Sequence, residues 1–219
     1  MPVLRPDFRT WTYHTPAVVL GRAQRALRLE IEKRALGQLD ILNRDTGGGA
    51  VLTGPWLVGV SVVLPHGHAL LGRSLGDSYC ALAQLHISAL ATFGVIAQTL
   101  VRTELTAKPE IDTNDLHWAC FGCLSPWEVI STDGRKLVGL AQKRNQHGVL
   151  LVAGTLISRV AWELLCDVTG HADQRDALVQ RTISVQEIRG TPINTDVFAT
   201  ELAGRLARWI FPSAKLALS

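Results

Sequence analysis

Arg44-Asp45-Thr46-Gly47-Gly48-Gly49-Ala50-Val51 is the stretch whose reading decides the fold. Its three consecutive glycines carry no Cβ, so backbone amides there can come within hydrogen-bonding range of an anion or a carbonyl. Apolar segments frame the run: residues 39–43 lead into it, and residues 50–52 and 56–64 follow. The glycines therefore belong to a tight loop between strands. The loop has neither the Gly-Lys-Ser/Thr ending of a phosphate-binding P-loop nor the spacing of a dinucleotide fingerprint. By itself it reads equally as a plain turn or as a ligand loop.

Upstream, residues 17–20 are a short apolar strand and residues 22–38 carry aliphatic side chains at helical spacing. Downstream, Leu75, Tyr79, Leu82, Leu85, Ala89 and Phe93 recur every three or four positions, which predicts an amphipathic helix opened by Ser74 and closed by Gly94. Residues 95–101 read as a strand and residues 102–117 as a polar surface loop. Residues 127–131, Asp133-Gly134 and residues 136–142 form a strand, turn, strand signal, and residues 149–157 are a further strand. The tail holds two or three helices, the clearest over residues 194–211, with Phe198, Leu202, Leu206 and Ile210 four apart. No repeat or low-complexity linker divides the chain, so one domain over residues 1–219 is expected.

A chain of 219 residues that is 47% apolar and 19% charged has the material for one large core. The longest strongly apolar run, residues 56–64, is far short of the roughly 20 residues a membrane helix needs. The start Met-Pro-Val-Leu-Arg-Pro-Asp has no apolar secretory segment, so a cytoplasmic location is expected. In that reducing compartment Cys80, Cys120, Cys123 and Cys166 read as free thiols. A net charge of +3, with both signs dispersed, makes no nucleic-acid stripe and mildly favours an acidic partner.

Cys120-x-x-Cys123 with His117 nearby has half the ligands of a zinc site, but no second pair stands at ligand spacing, so no metal is expected. A redox pair of the thioredoxin type needs a strand directly before it, which residues 109–118 do not offer. Lys136 follows an Asp-Gly turn among Leu137, Val138, Leu140 and Ala141. A lysine there is ordinarily solvated; aimed into a cleft beside a thiol, it becomes a proton acceptor or a charge partner. His147 and His171 read as surface residues.

Three segments in one order add a family resemblance. The glycine octapeptide resembles the Arg-x-Ser/Thr-Gly-Gly-Gly-Ala-Val signature of the lipoate ligase, biotin ligase and octanoyltransferase superfamily. Gly134-Arg135-Lys136-Leu137-Val138-Gly139-Leu140-Ala141-Gln142-Lys143-Arg144 is similar to its second signature. Cys120-Phe121, followed by Ser125 and Trp127-Glu128-Val129, resembles the Cys-Phe segment of one octanoyltransferase branch. Two positions depart from the pattern: Thr53-Gly54 stands where the family often has His-Asp, and Ala153-Gly154-Thr155 where it commonly has His-Gly-Ser/Thr. The helix that usually precedes the family's first strand is also missing from the pattern.

The resemblance implies an α/β fold, with a mixed, largely antiparallel central sheet flanked by helices, like the catalytic domains of class II synthetases and biotin ligases. It implies that Cys120 is the acyl-carrying nucleophile and Lys136 its catalytic lysine. Arg44, Gly47, Gly48, Gly49, Ala50, Val51, Gly139, Ala141, Gly154 and Thr155 would then line the acyl site. It implies an octanoyl or lipoyl group moved from acyl carrier protein to a lysine of a lipoyl-domain protein, the glycine cleavage H protein or a 2-oxoacid dehydrogenase E2, with no cofactor, nucleic acid or membrane involved. The alternative is a lipoate-protein ligase using ATP and magnesium, with Lys136 on the phosphate; those ligases usually carry an accessory domain. A third reading, permitted by the two departures, is a non-catalytic acyl- or partner-binding relative.

Overall fold

A computed structural model of the chain describes residues 2–100 and 116–212. Residues 101–115, most of the expected surface loop, and residue 101 of the expected strand lie outside the described residues.

Among the described residues the architecture rests on two sheets. The larger has six strands in the order β1-β5-β9-β8-β7-β6, and every neighbouring pair is antiparallel. Its members are β1 (Asp7–Thr12), β5 (Leu57–Leu64), β6 (Ala97–Thr99), β7 (Val129–Ser131), β8 (Lys136–Asn145) and β9 (Gly148–Leu156). The smaller sheet, in the order β3-β2-β4, joins β2 (Ala17–Leu20), β3 (Asp40–Asn43) and β4 (Val51–Thr53); β2 is parallel to β3 and antiparallel to β4. The mixed, mainly antiparallel α/β arrangement expected from the family resemblance is the one observed.

Six helices flank the sheets among the described residues: α1 (Arg28–Ala35), α2 (Leu75–Thr92), α3 (Trp162–Thr169), α4 (Arg175–Arg181), α5 (Val185–Arg189) and α6 (Thr195–Ile210). Helix α2 begins with a reciprocal cap. The Ser74 hydroxyl accepts from Asp77 N at 3.2 Å, and the Asp77 carboxylate accepts from Ser74 N at 2.9 Å. Helix α6 buries Phe198, Leu202, Leu206 and Ile210, the stripe its spacing predicts. None of the described helices is long and apolar enough to cross a membrane.

Sequence and structure part in several places, among them the tail, which holds four helices among the described residues, α3 to α6, where two or three are expected. Strand β1 is unforeseen: as an edge strand with a part-exposed Asp-Phe-Arg-Thr-Trp-Thr sequence, it has no clean apolar alternation to announce it. The segment expected as one helix over residues 22–38 opens as a 3-10 turn at Arg22–Leu27 and ends at Ala35, where Leu36 takes a left-handed conformation. Leu75 is more than half exposed, because the first turn of α2 overhangs a groove instead of packing on the core.

The pleat of the large sheet sorts residues by parity. Val58, Val60 and Val62 of β5 pair with Thr155, Ala153 and Leu151 of β9, and this face packs under α2 and α6. The intervening positions form a different row: Trp11, Gly59, Gly154 and Gly139 are successive partners across β1, β5, β9 and β8. That row looks toward the small sheet.

Candidate active site

The glycine loop is built by arginine. The Arg44 guanidinium donates to the carbonyls of Val19 at 3.0 Å, Gly47 at 3.0 Å and Gly49 at 2.6 Å, which folds the loop back on β2. Gly48 has φ +95°, a conformation that favours glycine. Gly49 is required by proximity, since a Cβ there would sit 2.5 Å from the Trp118 carbonyl oxygen.

That close approach joins the loop to the cysteine segment. Ala50 N donates to the Trp118 carbonyl at 2.7 Å and Cys120 N donates to the Ala50 carbonyl at 2.9 Å, a short parallel bridge. On its other side, Trp118 stacks on His171 with ring centres 4.2 Å apart, and its indole N–H donates to Gln174. His171 is therefore half-buried under an aromatic ring, and that burial lowers its pKa.

Lys136 ties the third segment to the same point. Its ammonium donates to the Cys120 carbonyl at 2.6 Å, the Cys123 carbonyl at 2.7 Å and the Glu128 carboxylate at 2.6 Å. Both charged side chains are buried, with exposures of 1% and 4%. An ammonium has three protons, and all three are committed, so here Lys136 is a clamp and a fixed charge rather than a ready proton acceptor. Phe121 packs below it with its ring centre 5.5 Å from Nζ. Burial pushes the Glu128 carboxyl above its ordinary value, while Lys136 and the Ser125 and Leu140 amides pull it back down.

Two spaces meet at Cys120. The first is an apolar cavity of about 200 Å³ between the two sheets. Its walls include Val19 and Val51 from the small sheet, Ala141 and Val152 from the large one, and the row Gly139, Gly154 and Trp11. The Trp11 ring covers Gly59, where an added Cβ would be 2.4 Å from the indole. With strands spaced about 4.8 Å apart, the three steps from β8 to β1 give this row a length of roughly 14 Å. The second space is an open groove of about 840 Å³, reached by Gly47, Gly48, Tyr79, Trp127 and Glu128. Cys120, half-buried, borders both.

Most residues implied by the resemblance come together here: Cys120, Lys136, Arg44, residues 47–51, Gly139, Ala141 and Gly154. Thr155 does not. Its hydroxyl lies on the opposite face of β9, 3.1 Å from His86 Nδ1 in the core beneath α2, because adjacent strand residues point to opposite sides. Cys123 is 3 residues past the half-buried thiol and pairs with His117 Nδ1 at 2.9 Å.

Three residues escaped sequence reasoning. Thr46 is 2% exposed, borders the apolar cavity and has a hydroxyl without a hydrogen-bond partner among the described residues. Its signal lay inside the glycine octapeptide. Glu128 stood in the Trp127-Glu128-Val129 segment, with nothing local to mark it as the partner of Lys136. Trp11 is assigned only once β1 is known.

A model of the lipoyl protein ligase A/B catalytic domain matches residues 4–207. The octanoyltransferase LipM of an Exiguobacterium species is 32% identical over 171 residues, which is 75% of this chain and 58% of that protein. The chain thus spans little more than half the length of that relative. The bipartite lipoate protein ligase of Thermoplasma acidophilum, described with its E2 lipoyl domain, shares the fold at 18% identity, with a TM-score of 0.65 over 93% of this chain and 70% of that one. A lipoate-protein ligase A bound with ATP superposes with a TM-score of 0.63 at 18% identity, over 93% of this chain and 72% of that one.

Proposed function

The chain belongs to the lipoyl protein ligase A/B catalytic domain family, and from that premise we propose that it is a protein lipoylation enzyme working as an octanoyltransferase through an acyl thioester on Cys120. The observation that carries this reading is that the half-buried Cys120 borders both the apolar slot and the open groove. A medium-length acyl chain fits the slot, because its walls are apolar and its glycine row leaves room for methylenes. The groove admits the carrier arm first and the acceptor lysine second.

The chemistry is two exchanges at one sulfur. The Cys120 thiol gives up its proton and attacks the thioester carbonyl of an acyl carrier protein; a C–S bond to Cys120 forms, the C–S bond to the carrier breaks, and the carrier sulfur takes up a proton in exchange and leaves as a thiol. The amine of a lipoyl-domain lysine then attacks the enzyme thioester, giving an amide and returning Cys120 as a thiol. A thioester is already activated, so neither exchange requires ATP. Thr46 also borders the slot, and its buried hydroxyl has no hydrogen-bond partner among the described residues. Trp11 closes the far end and limits chain length. In this role the described elements form one catalytic domain.

The ligase alternative asks Lys136 to steady a phosphate. Its three protons are already held by two carbonyls and Glu128, so it favours the transferase reading. The test is to incubate the protein with octanoyl-carrier protein, digest it and map the acyl group. The expected result is acylation of Cys120 and none in Cys120→Ala. Acylation of Cys123, or an adduct that survives Cys120→Ala, would remove Cys120 from the mechanism.

A further inference from the structure

The Lys136 clamp has a second charged member whose part in the reaction is not yet assigned. Glu128 directs Oε1 to Lys136 at 2.6 Å and Oε2 to Ser125 N at 2.8 Å, so one buried carboxylate joins β8 to the start of its own loop. Lys136 in turn holds the carbonyls of Cys120 and Cys123, the two ends of the turn that presents the thiol. Trp127, beside Glu128, has φ +73°, a strained conformation for a bulky residue that persists only where its surroundings hold it. Its amide donates to the Leu100 carbonyl at 2.8 Å.

We propose that Glu128 is a positioning residue for acyl transfer, acting through Lys136: its carboxylate holds the lysine against the Cys120 and Cys123 carbonyls and thereby fixes the turn that aims the Cys120 sulfur at the junction of slot and groove. The proposal rests on the reading of Cys120 as nucleophile. It goes further by making the ion pair, and not the lysine alone, the unit that sets the thiol's place. Without the carboxylate, Lys136 loses one of its three partners, and the turn loses the anchor that ties it to Ser125.

Among the described residues, the other titratable groups around the pair are Cys120 and the Cys123–His117 contact from the same segment, and Tyr79 of α2, whose phenol is raised by burial and by the charges of Glu128 and Cys120. Arg135 turns away to Asp133, and Glu187, on the segment alongside the Lys136 backbone, turns to Ser184. None of these replaces Glu128 as the counter-charge.

The test compares wild type, Glu128→Gln and Glu128→Asp by single-turnover acylation from octanoyl-carrier protein and by alkylation of Cys120 with iodoacetamide. Glu128→Gln should acylate about a hundredfold more slowly, the scale of a displaced reacting group, with KM little changed. Glu128→Asp keeps the carboxylate, so it should recover most of that loss and stay within several-fold of wild type; this arm decides the matter if Glu128→Gln does not fold. Acylation at the wild-type rate in both variants, a Glu128→Asp rate as low as that of Glu128→Gln, or a loss that appears in KM and not in rate, would overturn the proposal. Absence of any acyl adduct in wild type would defeat the Cys120 reading instead, and the alkylation rates would still decide on Glu128: equal rates in all three proteins overturn it, a rate changed in Glu128→Gln and restored in Glu128→Asp supports it.

Discussion

The two faces of the six-stranded sheet use the same strands at alternate positions, yet one is filled and the other is hollow. Under α2 and α6, Val58, Val60 and Val62 meet Leu151, Ala153, Val138 and Leu140 with no side chain more than 8% exposed. One residue along each strand, Gly59, Gly154 and Gly139 stand in a row and leave the slot that ends at Trp11. The pleat thus gives the core one face and the glycine row of the slot the other, with Val60, Ala153 and Leu140 also bordering the slot. A slip of one residue in register would exchange the two faces, so the buried apolar positions of the filled face hold the register that keeps the cavity open.

Substitutions can break this comparison. On the filled face, Phe198→Ala removes a fully buried ring from α6 and should cost about 3–5 kcal/mol of stability, with turnover per folded molecule unchanged. Denaturant unfolding combined with activity per folded fraction checks it; a matching loss of turnover would mean that the faces are coupled.

The next effect lies at His86, on the same face. Burial lowers its pKa from 6.5 to about 4, so as pH falls the unfolded chain takes up this proton before the folded one does. The stability contribution is therefore full above about pH 6.5 and is lost progressively toward pH 4, by about 3 kcal/mol in all. Unfolding of His86→Leu measured across that range should show a shallower acid slope than wild type. An identical slope would place the acid sensitivity elsewhere.

On the hollow face, Gly154→Val directs two methyl groups into the slot, where Leu57 already stands 3.3 Å from the position of an added Cβ. Octanoyl transfer should fall about a hundredfold, equivalent to about 2.7 kcal/mol of barrier, with the melting temperature moved only slightly. Unfolding in place of inactivation would contradict the division of labour between the faces.

The smallest effect sharpens the same point. Trp11→Ala opens the end of the slot and should move the preference between dodecanoyl and octanoyl carriers about tenfold toward the longer chain. An unchanged preference would mean that the acyl chain does not run along the glycine row.

Much of this was legible in the sequence because it follows from local rules. The valines of β5, the Ser74 cap and the four-residue spacing of α6 each announce an element through periodicity or capping chemistry. The three motif segments were legible as candidates, but their meeting was not. The Ala50 to Cys120 bridge and the Lys136 hydrogen bonds link residues far apart in the chain, and no local pattern encodes them. Thr155 shows the opposite failure: its place in a motif suggested the site, and the parity of β9 sends it to the core. Glu128 is marked only by burial against Lys136, which requires the fold.

The central claim is that Cys120 receives the acyl group from an activated carrier and passes it on without ATP. Its most direct test is intact mass spectrometry of a lipoyl domain mixed with this protein and octanoyl-carrier protein, set against a parallel mixture with free lipoate, ATP and magnesium. The account predicts an octanoylated lipoyl domain in the first mixture only, blocked by a thiol-alkylating agent and absent with Cys120→Ser. Product in the second mixture only, requiring ATP and persisting with Cys120→Ser, would contradict it.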